Sequence, residues 1–317
     1  MTARIAIIMP CYNCAAHLAT SIGSVLAQTY TDWELIVVDD GSTDTSAAQV
    51  ATLDDPRIQL IRQANAGVSA ARNRALQAAN SELIAFLDAD DTWAPTFLEA
   101  MLKALDAQPA AVLAYCGWQN IGLPGGRGAP FVPPDYETPH KLETLLGGCR
   151  WPIHATLTRR AAITTASGFN PRYSHAEDFA LWLQIATQAP ITRVADVLAY
   201  YHFHGSAQAS ANHARAALQL WQAQHDYVAA HPAMAKRLGR DTLARLTHGA
   251  VLERAYVSYW ARDLVTARSL FRHVMRHGYG NAHDWKYMLP ALLPLRWHQA
   301  LLRLPAAQKK QPLSHKD

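Results

Sequence analysis

The chain predicts an α/β fold, a mostly parallel, twisted sheet with helices on both faces, followed by an all-helical C-terminal extension. Three observations carry this. Short apolar runs alternate with helix-spaced segments through the first hundred residues in the order β-α-β-α-β-α-β. The runs end in turn chemistry, at Pro10, at Asp39-Asp40-Gly41-Ser42 and at Asp88-Ala89-Asp90-Asp91. From about residue 208 onward the apolar residues fall at helical spacing alone.

Residues 5–9 form the first strand, and Leu18, Ile22, Val25 and Leu26 then mark an amphipathic helix over about residues 15–27. Residues 33–38 are the second strand and residues 58–61 the third. An alanine-rich helix over residues 69–79 leads into a fourth strand, the buried run Leu83-Ile84-Ala85-Phe86-Leu87. Beyond residue 105 the pattern loosens. Residues 111–115 and 153–158 read as strands, residues 122–134 as a loop rich in glycine and proline, and residues 159–165 as a short helix. Residues 177–186 fit a helix with Glu177 and Asp178 in its first turn, and a strand precedes Tyr200. Two segments within residues 249–278 pair as a helical hairpin, without a fixed-period repeat. The expected division is 1–105, 106–207 and 208–317, with the polar stretch 306–317 frayed.

Half of the 317 residues are hydrophobic and 17% are charged, which excludes a disordered chain. The net charge of +4 conceals a gradient. Residues 1–105 hold 6 Lys and Arg against 12 Asp and Glu, and residues 206–317 hold 16 against 6. An acidic half suits a metal site, and a basic end suits an anionic surface. No uncharged apolar run reaches the roughly 20 residues that span a bilayer, and residues 5–9 are too short for a secretory signal. The four cysteines include Cys11-Tyr12-Asn13-Cys14, but no second pair completes a zinc site. A cytoplasmic protein with reduced thiols is expected, in contact with a membrane face at most through its basic C-terminal helices.

Carboxylates that follow a buried strand emerge at its C-terminal end, where open α/β sheets bind ligands. Three acids within Asp88-Ala89-Asp90-Asp91 repel one another unless a positive group sits among them. A divalent metal carrying a diphosphate meets that need, because Mg²⁺ and Mn²⁺ favour oxygen ligands. Three strand ends, at Pro10-Cys11-Tyr12-Asn13, at Asp39–Asp44 and at Asp88–Asp91, converge on one edge. A nucleotide needs an aromatic face, acceptors for base and ribose, and a metal for its phosphates. Tyr12, Asp40, Asp88 and Asp90 can supply that set. Asp39 and Asp44 serve equally as turn or helix caps.

The motifs at these ends form a recognisable series. Ile7-Ile8-Met9-Pro10-Cys11-Tyr12-Asn13, Ser24-Val25-Leu26-Ala27-Gln28-Thr29-Tyr30 and Trp33-Glu34-Leu35-Ile36-Val37-Val38-Asp39-Asp40-Gly41-Ser42-Thr43-Asp44 come first. Asn65-Ala66-Gly67-Val68-Ser69-Ala70-Ala71-Arg72-Asn73 and Ala85-Phe86-Leu87-Asp88-Ala89-Asp90-Asp91 complete the set. In this order the chain resembles a family 2 glycosyltransferase. The resemblance implies a GT-A fold with a mixed sheet, a nucleotide-sugar donor, an inverting transfer and Mn²⁺ or Mg²⁺ as cofactor. Carried over, Pro10, Tyr12 and Asp40 hold the base, Asn13 belongs to the nucleotide site, Asp88 lies on the ribose side and Asp90 meets the metal and diphosphate. Arg72 either approaches the diphosphate or is solvated on a helix surface.

The second half extends the resemblance through Ser167-Gly168-Phe169-Asn170 and Ala176-Glu177-Asp178-Phe179-Ala180-Leu181-Trp182. There Asp178 takes the place of the family's general base, in an acceptor segment that includes Glu177. An acid at a helix N-terminus is also stabilised by the dipole alone. Tyr200-Tyr201-His202-Phe203-His204-Gly205-Ser206 resembles the closing motif, with His204 near the metal or diphosphate. Trp118, Trp151 and His154 suit an acceptor pocket, or the core. A processive synthase would carry Q-x-x-R-W, but Gly147 precedes Arg150-Trp151 and Leu293 precedes Arg296-Trp297. One sugar per encounter is the expectation, from a UDP-sugar to a glycan or lipid-linked acceptor, with no nucleic-acid partner. The rivals are a nucleotidyltransferase or dehydrogenase, disfavoured by the lack of G-x-G-x-x-G and P-loop, and a silent nucleotide-binding or scaffold protein.

Overall fold

Residues 3–123, 125–204 and 212–303 are described by the computed structural model of the 317-residue chain. Gly205-Ser206, the boundary near residue 208 and the polar stretch 306–317 lie outside the described residues. Eight strands form one sheet: β1 (Ile5–Cys11), β2 (Trp33–Asp39), β3 (Ile58–Arg62), β4 (Leu83–Phe86), β5 (Thr92–Trp93), β6 (Leu113–Ile121), β7 (Thr156–Arg159) and β8 (Ile191–His202). Their order is β3-β2-β1-β4-β7-β6-β8-β5. The β3-β2-β1-β4 half is parallel throughout, as its helical crossovers require. Beyond it, β7 runs antiparallel to β4 and β6, β8 parallel to β6, and β5 antiparallel to β8, so the sheet is mixed.

The helices of the sheet region are α1 (Leu18–Leu26), α2 (Ser46–Ala51), α3 (Val68–Ala78), α4 (Phe97–Ala107), α5 (Lys141–Leu146), α6 (Arg160–Thr165) and α7 (Glu177–Ala186). Strand β1 shows how they divide. Ile5, Ile7 and Met9 pack into the core shared with Leu18, Ile22, Phe97 and Met101, on the face of α1 and α4. Ala6 and Ile8 point the other way, into the core of Ala71, Ala75, Phe169, Phe179 and Trp182, on the face of α3 and α7. Burial on both faces explains why the strand reads as a continuous apolar run.

Two strands differ most from the sequence expectation. The strand expected at 111–115 runs from Leu113 to Ile121, across a register shift at Gly117. A Cβ on Gly117 would meet Phe131 O at 2.8 Å and Asp196 O at 2.9 Å, so the glycine lets a bulged strand pass between two backbones. The strand expected at 153–158 begins only at Thr156, because residues 153–155 form a 3₁₀ turn.

The C-terminal region comprises α8 (His213–Ala230), α9 (Pro232–Leu238), α10 (Arg240–Ala244), α11 (Ala250–Trp260), α12 (Leu264–Arg276), α13 (Ala282–Met288) and α14 (Leu295–Arg303). Helices α11 and α12 form the expected hairpin, turning through Arg262 in the left-handed region (φ 65°). They share an apolar core of their own with Ala217 and Trp221 of α8. Between α10 and α11 lies a π-helical turn, Arg245–Gly249. Gln224 of α8 ties this region to α5, its Nε2 donating to Leu146 O at 2.7 Å and to Leu246 O at 3.1 Å. No helix among the described residues is long and apolar enough to cross a membrane.

Candidate active site

The C-terminal ends of β1, β2 and β4 sit side by side, because the three strands are parallel neighbours. Asn13, in the left-handed region (φ 52°), joins the first two loops. Its Oδ1 accepts from Thr43 N at 2.8 Å and its own N donates to Ser42 Oγ at 2.9 Å. Asp44 caps the other side, accepting from Ala15 N at 3.0 Å and Ser46 N at 2.9 Å, so the capping alternative describes it. Tyr12 stands beside these loops with half its surface exposed, an aromatic face open to solvent.

Asp40 is buried and accepts three hydrogen bonds, from Gln63 Nε2 (2.7 Å), Ala66 N (2.9 Å) and Gly67 N (2.8 Å). It thereby orders the loop that begins α3. The next residue, Gly41 (φ 77°), could not carry a side chain, since a Cβ there would lie 2.8 Å from Asn65 N. Pro10 occupies the end of β1 next to this loop.

The three clustered acids have separate partners. Asp88 Oδ1 accepts from Arg72 Nη2 at 2.7 Å, and the other arm of Arg72 donates to Glu177 Oε1 at 2.8 Å. Arg72 is 2% exposed, so neither the solvated-helix alternative nor an unengaged diphosphate contact describes it. Burial pulls its guanidinium down, but Asp88 and Glu177 raise it on balance. Asp91 is fully buried, paired with His154 Nδ1 at 3.0 Å and accepting from His202 N at 2.9 Å. Burial lowers the His154 imidazole, and Asp91 outweighs that to leave it raised.

Asp90 is thus the acid of the cluster with no ion pair among the described residues, since Asp88 pairs with Arg72 and Asp91 with His154. Burial, then the charges of Asp91 and Asp88, push it up to about 6, against an opposing pull from His204. His204 stacks on His17 at 3.7 Å between ring centroids and lies parallel to His202 at 6.2 Å. Among the described residues Asp88, Asp90 and His204 do not form one tight ligand group; Arg72 engages one oxygen of Asp88 and His17 stacks on His204. An uncompensated carboxylate beside a second one and an imidazole nevertheless fits a hard divalent ion, which keeps waters and takes further ligands from substrate phosphates.

Asp178 lies at the start of α7, half-buried, with Oδ1 accepting from Phe179 N at 2.6 Å. Burial and the adjacent Glu177 raise it to about 7. A carboxylate titrating there is matched to taking a proton near neutrality. The Sγ of Cys149 approaches its Oδ2 at 3.9 Å.

Three expected acceptor-site residues are corrected. Trp151 is 2% exposed and stacks on Tyr115 at 4.7 Å, so its faces are covered by core. His154 is 1% exposed and serves Asp91. Glu177 faces Arg72 instead of an open pocket. Sequence reading passed over His17, His202 and Cys149. The alternation of His202 and His204 on one side of an emerging strand was the available signal for the second.

Two latches hold the site together. Asn73 takes Phe169 N on its Oδ1 (2.9 Å) and gives Nδ2 to Phe169 O (2.7 Å), joining the Arg72 segment to Ser167-Gly168-Phe169. Gln28 donates to Ala94 O (2.8 Å) and accepts from Leu98 N (3.0 Å), fixing the chain that leaves the acidic turn.

The profile of Glycosyl transferase family 2 matches residues 6–162. The chain is 36% identical over 192 residues to the UDP-Glc:alpha-D-GlcNAc-diphosphoundecaprenol beta-1,3-glucosyltransferase WfgD of Escherichia coli, covering 60% of this chain and 72% of that protein. Among solved structures, S. aureus TarS 1-349 in complex with UDP-GlcNAc superposes with a TM-score of 0.57 at 18% identity, over 80% of this chain and 81% of that one. The mannosyltransferase PcManGT from Pyrobaculum calidifontis, in complex with GDP-Man and Mn²⁺, gives 0.55 at 21% identity, over 95% and 84%. At these identities the two structures speak for the fold.

Proposed function

The chain belongs to glycosyl transferase family 2, and on that premise we propose that it moves one sugar from a UDP-sugar to a hydroxyl of a lipid-linked glycan, inverting the anomeric carbon. The observation that carries this reading is Asp178, a carboxylate raised to about 7 in the first turn of α7, tied through Glu177, Arg72 and Asp88 to the acidic turn. Asp178 accepts the acceptor hydroxyl's proton as that oxygen attacks C1 of the donor sugar from the face opposite the nucleotide. The nucleoside diphosphate then leaves with the bonding electron pair. Such a base contributes about 10²–10⁴-fold. A Mn²⁺ or Mg²⁺ ion, held by Asp90 with Asp88 and His204 beside it, would supply positive charge against the departing diphosphate. Tyr12 offers its exposed face to the base, while Asp40, Asn13 and Pro10 shape the loops around it. The proposal divides the chain into a donor half (1–105), an acceptor half (106–207) and a helical unit (208–317).

The acceptor class is supported by the WfgD relative, whose name specifies a GlcNAc-diphosphoundecaprenol acceptor. The helical unit adds a means of reaching such an acceptor on the cytoplasmic face of a membrane. Trp260 and Trp297 are each 59% exposed, with Val257 and Val265 exposed near the first in sequence and Leu289, Leu292 and Leu301 near the second. Apolar residues interleaved with cations suit an anionic lipid surface. Not every cation is available for it. Arg268 is buried against Leu293 O and His298, and Arg272 Nε donates to Ala291 O at 2.8 Å.

A panel of nucleotide sugars, incubated with Mn²⁺ or with chelator, tests the reading through nucleotide release from wild type and Asp90→Ala. Metal-dependent release of UDP from one donor, lost in Asp90→Ala, is the expected result. Equal behaviour of the two proteins with every donor would refute it.

A further inference from the structure

We propose that His248, His273 and His277 form a second metal site, for a zinc-type divalent transition ion, where the π-helical turn meets α12 and α8. The ligand atoms of the three histidines all lie within 4.8 Å of one another. Tetrahedral zinc, with Zn–N bonds of about 2.0–2.1 Å, needs nitrogens about 3.4 Å apart. Small rotamer adjustments close that gap, and His277 is exposed enough to make them.

The local structure prepares each ring. His273 lies in the last turn of α12 and His277 caps its C-terminus, the i, i+4 spacing that puts two imidazoles on one side of the helix end. His277 Nδ1 lies 2.8 Å from His273 O. A carbonyl only accepts, so Nδ1 carries the proton and Nε2 is left with its lone pair, the backbone-oriented arrangement common to metal-bound histidine. His273 Nε2 is buried with no hydrogen-bond partner, an unmet polar atom that a ligand would satisfy. His248 stands on the π-helical turn, a local unwinding that such helices use mostly at functional positions. Its Nδ1 accepts from Trp221 Nε1 at 3.2 Å and therefore also holds a lone pair.

The surroundings favour this class of ion. Burial lowers His248, and burial followed by His277 and His248 lowers His273 to about 4, so both are neutral ligands at physiological pH. Trp221 packs against His273 and His277 with ring centroids 4.3 and 4.9 Å away, and Tyr279 against His248 at 5.9 Å. Three imidazoles in an aromatic shell suit Zn²⁺, Co²⁺, Ni²⁺ or Cu²⁺, whereas Mg²⁺ and Mn²⁺ prefer the oxygens of the acidic turn. An ion here would bind the π-helical turn to α12, and the same turn reaches the sheet region through Gln224 and Leu246 O.

Co²⁺ titration of the metal-free full-length protein tests this, read by the visible bands of four-coordinate cobalt and by tryptophan fluorescence. The expected result is one equivalent bound, with Trp221 emission altered as its indole yields His248 Nδ1. The signal should persist in Asp90→Asn and weaken more than about 10-fold in His277→Gln. His248→Gln repeats the test with a second ligand, and circular dichroism of the metal-free variants checks their folding. Absence of the cobalt bands in wild type, or affinity in both histidine variants within 10-fold of wild type, would overturn the proposal.

Discussion

Arg72 and Glu177 are joined at 2.8 Å across 105 residues of sequence, and this contact couples the donor side of the site to the helix that bears Asp178. Because the second arm of Arg72 holds Asp88, one buried guanidinium sets the spacing between the acidic turn and the proposed base. Removing it leaves two partly buried carboxylates without compensation.

Arg72→Met is therefore expected to cost about 3–5 kcal/mol of stability, the range for breaking one side of a buried ion pair. Urea unfolding measures the loss. Arg72→Lys should recover only part of it, since a single ammonium lacks the planar fork that reaches two carboxylates at once.

The pH dependence follows from Asp178. Its folded value of about 7 lies above the ordinary aspartate value of 3.8, so the folded state binds the extra proton between those limits. Stability from this group is greatest below the unfolded value and falls as pH rises toward 7. Asp178→Asn should accordingly unfold at higher temperature than wild type at pH 8, with the difference shrinking toward pH 4. Transfer runs the opposite way. The base form accumulates as pH rises, so kcat/KM should climb through about pH 7.

Asn73 makes two hydrogen bonds to the peptide groups of Phe169. Asn73→Ala should cost about 1–3 kcal/mol through these unsatisfied groups. Gly168→Ala attacks the same latch from the other side, since Gly168 has φ 69° and a Cβ there would lie 2.7 Å from Asn73 Oδ1. Both variants should lower the unfolding midpoint in urea, and the double variant should lose less than the sum of the two.

Vesicle sedimentation examines the helical unit. The double substitution Trp260→Ser and Trp297→Ser should reduce binding to anionic vesicles, and wild-type binding should weaken as salt is raised. Nucleotide release without acceptor lipid should be unaffected, since both residues belong to the C-terminal helices.

The first four strands, the turn acids and the start of α7 were legible because each is written in contiguous residues. Leu83 to Phe86 is an unbroken apolar run, and Glu177 begins a helix at the residue where the periodicity begins. Partnerships were not legible. Asp91 meets His154 only after β4 pairs with β7, and Arg72 meets Glu177 only after α3 and α7 pack into one core on the same face of the sheet. The same blindness sent Trp151 and His154 to an open pocket, because an aromatic residue in a loop reads alike whether it faces a sugar or the core. Gly117 hid the length of β6, since a bulge breaks the alternation by which a strand is recognised.

The most direct test is sugar transfer to a GlcNAc-diphosphate-lipid acceptor by wild type and Asp178→Asn, with donor affinity measured in parallel. The account predicts a fall of about 10²–10⁴-fold in kcat for Asp178→Asn with donor affinity retained. It further predicts an inverted anomeric configuration in the wild-type product. Transfer by Asp178→Asn at the wild-type rate, or a product that retains the donor's configuration, would contradict it.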